Sequence, residues 1–369
     1  MRAVSDDPAP TKPALSPARA ARRRKLRLAC SGAVLALGLL AAEVGLRIKS
    51  LERAKPRDPN AWHEYDPTLG WRQIKGYSGT AKLLPDHPHT YPVAINAQGW
   101  RADRPYAATP PAGKKRIVLV GDSFTFGAGC SAAESVSVLL EQELGERYEV
   151  LNLGVCAYGV DQMRLNLEQH ALALKPDLVL ICVIQANFRR ALRSVALVGH
   201  KKPRFVLEGE RLVLTGVPVA QPPEPGELFL EDYPPRGGSF LLWKLAQVGT
   251  RMKVKLAGGA EEARPRWQLG RALLLDSARV AREAGVPFGA VLWPSTNNLL
   301  RGEPLRPLMK GLEPEVPFCD AYPAFEALGT AEEILPTHFL ADGHPSPAGQ
   351  RVMAQAVAAF LRERNLLPE

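Results

Sequence analysis

Three residues in this chain have the types and the setting that acyl-transfer chemistry requires. Ser123 lies in Gly121-Asp122-Ser123-Phe124-Thr125-Phe126-Gly127, directly after the apolar run at 116–120. A tight strand-to-helix turn exposes a hydroxyl, and the N–H groups at the helix start stabilise negative charge developing beside it. A serine hydroxyl is a weak nucleophile until a base takes its proton, and that base must be oriented by a third group. Asp342-Gly343-His344-Pro345 supplies both: His344 as base, and Asp342 two residues away as the carboxylate that holds the imidazole. Taken singly, each motif has a plainer reading. Ser123 could cap a helix, and Asp-x-His could be loop polarity. Together, at the two ends of one alternating strand–helix pattern, they favour catalysis.

Two further loops offer what such a site needs next. Asn152-Leu153-Gly154-Val155-Cys156-Ala157-Tyr158-Gly159 ends an apolar strand and can present a backbone N–H. Gln185-Ala186-Asn187 ends the next and can present a side-chain amide. With the N–H of Ser123 these make a three-donor oxyanion hole; the alternative for Asn187 is a structural cap. Arg189 and Arg190 follow at once and could meet an anionic substrate, although exposed surface arginines are the reading the sequence favours. His87 and His89 have no further ligands clustered with them and read as loop residues. No metal or cofactor is expected.

The elements that must position these residues are legible as hydrophobic periodicity. Short apolar runs at 116–120, 148–154, 177–184, 287–293 and 316–322 predict five strands. Helical spacing predicts helices over 132–144, 161–174 (with Asp161 as N-cap), 269–284 and 346–362. Strands joined through helices imply a parallel sheet covered on both faces, with ligands at the carboxyl ends of the strands. Residues 198–268 interrupt the alternation with a predicted hairpin, RFVLEGERLVL, and a proline-rich run, VPVAQPPEPG. An insertion of that size would roof the site or form a docking surface.

Gly121–Gly127, the Asn152–Gly159 loop, Asn187 and Asp342–His344 resemble the four blocks of the SGNH (GDSL-like) hydrolase superfamily, in that family's order. Upstream, Leu69-Gly70-Trp71-Arg72 and Ile95-Asn96-Ala97-Gln98-Gly99-Trp100-Arg101 are similar to a bacterial subgroup of membrane-anchored SGNH proteins. The resemblance implies a flavodoxin-like three-layer α/β/α sandwich with a five-stranded parallel sheet, and a metal-free esterase or acyltransferase. It also implies that Ala157 stands where the family's second-block glycine donates its N–H, so the oxyanion hole would be Ser123, Ala157 and Asn187. An alanine N–H donates equally well, provided the backbone there does not require glycine. Two other departures are Ala186 and Phe188 flanking Asn187, and Asp-x-His in place of the commoner Asp-x-x-His. The latter form is similar to that of SGNH-like proteins of exopolysaccharide acetylation.

Charge and hydropathy set the compartment. The chain has 369 residues and a formal net charge of +9. Eight basic against two acidic residues place +6 of that in residues 1–27, leaving +3 for the other 342, so the basicity belongs to a tail and nucleic acid is excluded as partner. Leu28–Leu46 follows, nineteen residues with Glu43 as the one charge, close to the ~20 needed to span a bilayer. Arg47 lies one turn beyond Glu43 and can pair with it. The Arg22–Lys25 cluster predicts a cytoplasmic tail and an extracytoplasmic bulk, in a single-pass inner-membrane protein. A cleaved signal peptide is the alternative, disfavoured by the long flank and the lack of a clean A-x-A site.

The expected organisation is a tail (1–27), an anchor (28–48), a juxtamembrane segment packed on the core (49–115) and a catalytic domain (116–369) with the insertion 198–268. Export admits disulfides; Cys130 with Cys156 is the one candidate bridge, against two free thiols. The expected function is hydrolysis or transfer of a small acyl ester, acetyl first, on envelope or extracellular carbohydrate. The alternative is a non-catalytic envelope protein that uses the same fold to bind glycan or a protein partner.

Overall fold

A computed structural model describes residues 17–53, 62–82, 88–195, 200–221, 238–242, 244–246, 248–249, 260–313 and 315–368. His87 and most of the proline-rich run of the insertion lie outside the described residues. The chain divides into two compact units: Met1–Lys55 with Tyr233–Thr250, and Pro56–Asp232 with Arg251–Glu369.

The smaller unit is built on α1 (Pro17–Arg53). Its stretch Pro17–Ile48 is long and apolar enough to cross a membrane, and its apolar window buries nothing. Glu43 and Arg47 pair at 2.7 Å, as their spacing predicts. The unit also contains α6, helical at residues 240–242, 244–246 and 248–249.

The larger unit opens with two antiparallel hairpins, β1 (His63–Asp66) with β2 (Gly70–Gln73) and β3 (Ser78–Lys82) with β4 (Thr90–Ala94). The sheet consists of β5 (Lys115–Gly121), β6 (Tyr148–Gly154), β7 (Leu178–Val183), β10 (Phe288–Leu292) and β11 (Phe318–Asp320), all parallel, in the order β11-β10-β7-β5-β6. This is the α/β/α architecture expected. Side chains alternate across each strand, so Val118, Val120, Ile181 and Leu292 face one helical layer while Ile117, Leu119, Leu180 and Val291 face the other. The first layer holds α4 (Val160–Asn166) and α7 (Ala260–Glu283); the second holds α3 (Val136–Leu144) and α12 (Pro347–Glu363). The connections carry α2 (Ser123–Phe126), α5 (Gln185–Ala191), the hairpin β8 (Arg204–Glu208) with β9 (Arg211–Thr215), α8 (Thr296–Arg301), α9 (Leu305–Lys310), α10 (Tyr322–Glu326) and α11 (Ala331–His338).

Two helix expectations need correction. The helix read over 132–144 is a 3-10 turn, Ala132–Glu134, and then α3, because Ser135 is extended (ψ 151) and caps the second piece. The helix read over 161–174 starts after Gly159; Asp161 sits inside its first turn, where Lys202 claims its carboxylate. The candidate disulfide is not formed: Cys130 and Cys156 are free buried thiols. Burial pushes both up to about 12, so both are protonated at neutral pH.

Candidate active site

The strand order turns back between β5 and β7, whose carboxyl ends therefore flank an open crevice. Ser123 leaves the first and α5 leaves the second. Only glycine fits at 121, where a Cβ would lie 2.0 Å from Thr125 Oγ1; this lets α2 start immediately at the strand end. Asp122 caps α2, its Oδ1 accepting from Phe124 N at 3.0 Å. Gly154 is equally constrained, since a Cβ there would come within 2.4 Å of Phe126 N. Asn152 then ties β6 to α2, donating to Thr125 O at 2.7 Å.

The structure brings the three predicted catalytic residues into one relay. Ser123 Oγ lies 2.8 Å from His344 Nε2, and His344 Nδ1 lies 2.6 Å from Asp342 Oδ2. The short Asp-x-His spacing works because Gly343 is left-handed (φ +87), which folds Asp342 back to accept also from His344 N at 3.0 Å. Burial alone would raise the Asp342 carboxyl, but the hydrogen bonds and charge of His344 outweigh it and hold it below the usual carboxylate range. An ionised Asp342 accepts from Nδ1–H, which leaves the Nε2 lone pair for the Ser123 proton. Phe124 lies against the imidazole, ring centroids 5.4 Å apart.

The expected oxyanion donors fare differently. Ser123 N–H is the first of a helix N-terminus, where no intrahelical carbonyl is available. Ala157 adopts φ +67, the left-handed conformation that glycine normally supplies. Asn187 has its amide engaged in this structure. It is fully buried and its amide is spent: Nδ2 donates to Asp122 Oδ2 at 2.8 Å and to Tyr158 O at 2.9 Å, while Oδ1 accepts from Ile184 N at 2.5 Å. In this state it braces the turn that carries Ser123, with both amide hydrogens on those two acceptors.

Arg190 overturns the surface reading. Its side chain is 15% exposed, and NH1 donates to the same two acceptors as Asn187, Asp122 Oδ2 at 2.7 Å and Tyr158 O at 3.2 Å. Arg189 is exposed. Asp122 is completely buried and is therefore charge-paired from behind the serine.

Sequence reasoning also missed how the upstream segment grips the loop that carries Ala157. Trp71 Nε1 donates to Cys156 O at 3.1 Å, Tyr158 OH donates to Trp71 O at 2.7 Å, and Gln73 Nε2 donates to Gly154 O at 2.8 Å. The Trp71 and Tyr158 rings meet edge to face at 5.4 Å. The LGWR motif was legible only through its resemblance; its partners are about 85 residues away. Arg101 donates to Cys130 O at 2.8 Å and lies 4.8 Å above the Phe126 ring, steadying the far end of α2. His89 contacts Gly129 O at 2.8 Å, and among the described residues no cluster could hold a metal ion. A recess of about 670 Å³, lined by Gln185, Asn297, Asn298, Arg301 and Glu303 among others, opens between the ends of β7 and β10. Ser123, Asp342 and His344 are not among the residues that line it.

No protein-family model matches the chain, and no curated protein matches it. Among solved structures it is similar to a lipase/acylhydrolase from Enterococcus faecalis (15% identity, 68% of this chain and 96% of that one, TM-score 0.37). It is similar also to a member of the lipolytic G-D-S-L family from Veillonella parvula (14%, 66% and 97%, TM-score 0.36). A third is a catalytic variant of an acetylxylan esterase from Geobacillus stearothermophilus (18%, 68% and 94%, TM-score 0.37). Likenesses this distant leave the chemistry to be argued from the chain's own residues.

Proposed function

We propose that this chain is a membrane-anchored serine esterase or O-acyltransferase for small acyl esters, acetyl first, of envelope or extracellular carbohydrate. The observation that carries the reading is the unbroken Asp342–His344–Ser123 relay, at 2.6 and 2.8 Å. Ser123 Oγ attacks the ester carbonyl as its proton passes to His344 Nε2, and Asp342 stabilises the imidazolium that forms. The N–H groups of Ser123 and Ala157 receive the oxyanion. His344 then protonates the leaving alcohol, freeing it and leaving an acyl-serine. Water completes hydrolysis, or an acceptor hydroxyl completes transfer, each deprotonated in turn by His344. The α1 helix anchors the chain once in the inner membrane, with Arg22–Lys25 inside and the catalytic unit outside.

The test is hydrolysis of p-nitrophenyl acetate by the full-length chain in detergent, beside Ser123→Ala and His344→Ala. Turnover lost in both variants supports the mechanism; equal slow turnover in all three sinks it. A second reading, a non-catalytic envelope protein that binds glycan or a protein partner, draws on one observation: the amide of Asn187 is committed elsewhere, leaving two oxyanion donors. A fluorophosphonate probe separates the two, because it labels only an activated serine.

A further inference from the structure

The insertion contains a helix, α6, that the catalytic reading does not use. Glu43 stands three residues before the end of the apolar stretch of α1, about 4.5 Å of helix rise. A carboxylate at that depth is costly unless partnered. Its partners come from residues nearly two hundred positions away: Oε1 accepts from Phe240 N at 3.0 Å, and Oε2 accepts from Leu241 N and Ser239 Oγ, each at 2.8 Å. Arg47 adds to the tie, donating to Gly238 O at 3.1 Å with its guanidinium 5.3 Å from the Phe240 ring. Glu43 thus caps the N-terminus of α6 as a capping carboxylate would, but from another helix. The start of α6 is fixed at the level where α1 leaves the hydrocarbon.

From that point α6 carries large apolar side chains at i, i+3 and i+6: Leu242, Leu245 and Val248, respectively 68%, 57% and 52% exposed. They share one stripe of the helix. The turn of α1 around Glu43 is exposed too, with Leu40 at 59% and Val44 at 46%. Both surfaces call for the same solvent, and the capping fixes both at one depth.

We propose that α6 is an interfacial helix whose Leu242–Leu245–Val248 stripe lies in the outer leaflet of the bilayer that α1 spans, so that the insertion is a second membrane attachment. This rests on the reading of α1 as a membrane anchor. The catalytic unit is then joined to the membrane unit by three chain connections, after residue 55, before 233 and after 250. Retention of α1 follows as well, since cleavage beyond it would strip α6 of its cap.

The test uses the full-length chain with Cys30→Ser, leaving only buried native thiols, reconstituted in phosphatidylcholine vesicles. Spin labels go at 242, 245 and 248, with a control at exposed Arg211. Relaxation by oxygen and by a water-soluble nickel chelate is compared after flotation of the vesicles. The expected result is flotation, with labels on the stripe favouring oxygen at least several-fold over the control, and loss of that preference at 245 in Glu43→Ala while flotation persists. Flotation with a stripe as chelate-accessible as position 211 overturns the inference and leaves the anchor standing. Failure to float overturns both. Spin–spin broadening between stripe labels would show a second copy covering the face, and an unchanged label at 245 in Glu43→Ala would remove the tie; either overturns the inference.

Discussion

Replacing Ala157 by glycine tests the loop proposed to present the oxyanion donor, and the stability change relative to a matched alanine carries the answer. Ala157 is left-handed at φ +67 and half-buried against the core. A left-handed L-residue is disfavoured by roughly 1–2 kcal/mol, which glycine escapes. Against this, glycine gives the unfolded chain extra freedom worth about 0.4–1 kcal/mol. Loss of a half-buried methyl removes about 0.4 kcal/mol more, half the value of a fully buried carbon. The three contributions partly cancel and leave a change between about −0.4 and +1.2 kcal/mol, centred near +0.4 kcal/mol in favour of the variant. At a residue with ordinary negative φ the first contribution vanishes, and the same substitution costs about 1 kcal/mol.

Ala186, half-buried in the first turn of α5, is the matched control. Guanidinium unfolding of the full-length chain and both variants, with kcat for p-nitrophenyl acetate, reads the difference. Ala157→Gly is expected to hold its midpoint or raise it and to keep kcat within about threefold, while Ala186→Gly falls by about 1 kcal/mol. If Ala157→Gly loses as much as the control, the left-handed turn is wrong and with it the aim of the Ala157 N–H.

Asp342→Asn should cut kcat by roughly 10³–10⁴, because the amide no longer selects the Nδ1–H tautomer of His344. The folded carboxyl of Asp342 lies below its unfolded value, so the stability it contributes is complete above the unfolded value and is lost as pH falls through the folded one. Acid unfolding followed below about pH 4 should therefore be shallower in Asp342→Asn than in the parent; identical curves would remove the linkage. Lys202 and Asp161 form an ion pair with exposures of 1% and 0%, joining the strand-leading segment of the insertion to α4. Lys202→Met should cost about 3–5 kcal/mol by stranding a buried carboxylate, and adding Asp161→Asn should return a large share, as denaturant midpoints would show. Trp71→Phe drops the N–H to Cys156 O and also shrinks a fully buried indole to a phenyl ring, so a loss of about 2–4 kcal/mol is expected. Because that bond steadies the loop of Ala157, kcat should fall roughly tenfold with KM nearly constant; an unchanged kcat would make the contact structural only. Arg190→Met leaves Asn187 as sole partner of Asp122 among the side chains now holding it, and a stability loss of about 2–5 kcal/mol should appear in thermal or denaturant unfolding.

The sheet was legible because its central strands are buried on both faces. Val118 to Val120, Leu178 to Val183 and Phe288 to Leu292 are runs with no polar residue, each stopped by a turn or a helix cap, and a buried parallel strand writes itself that way. The helices α8 to α11 escaped because each is short, three of the four contain a proline, and burial in each is confined to one or two residues. Their apolar periodicity never completes the turns that a window of sequence needs. Asp161 misled for another reason. Its type and position fit an N-cap, but Lys202, forty-one residues on, takes its carboxylate, and no local pattern reports a partner that distant.

The same division between local and distant information runs through the site. Gly-Asp-Ser and Asp-Gly-His are each complete in sequence: a glycine that admits the turn, a carboxylate that folds onto its neighbours, and the reacting group between or beside them. The residues proposed to form the oxyanion hole are complete only in space. Ala157 reads as an unremarkable small residue until its φ is known, and Asn187 reads as a donor until both its hydrogens are found on Asp122 and Tyr158. Arg190 duplicates those two bonds, so the acceptors that hold Asn187 do not depend on it alone. A side chain whose partners have a second donor can change its bonding at lower cost than one whose release would strand a buried carboxylate. The substitution that separates these cases is therefore at Arg190 and not at Asn187, where deletion removes brace and donor together.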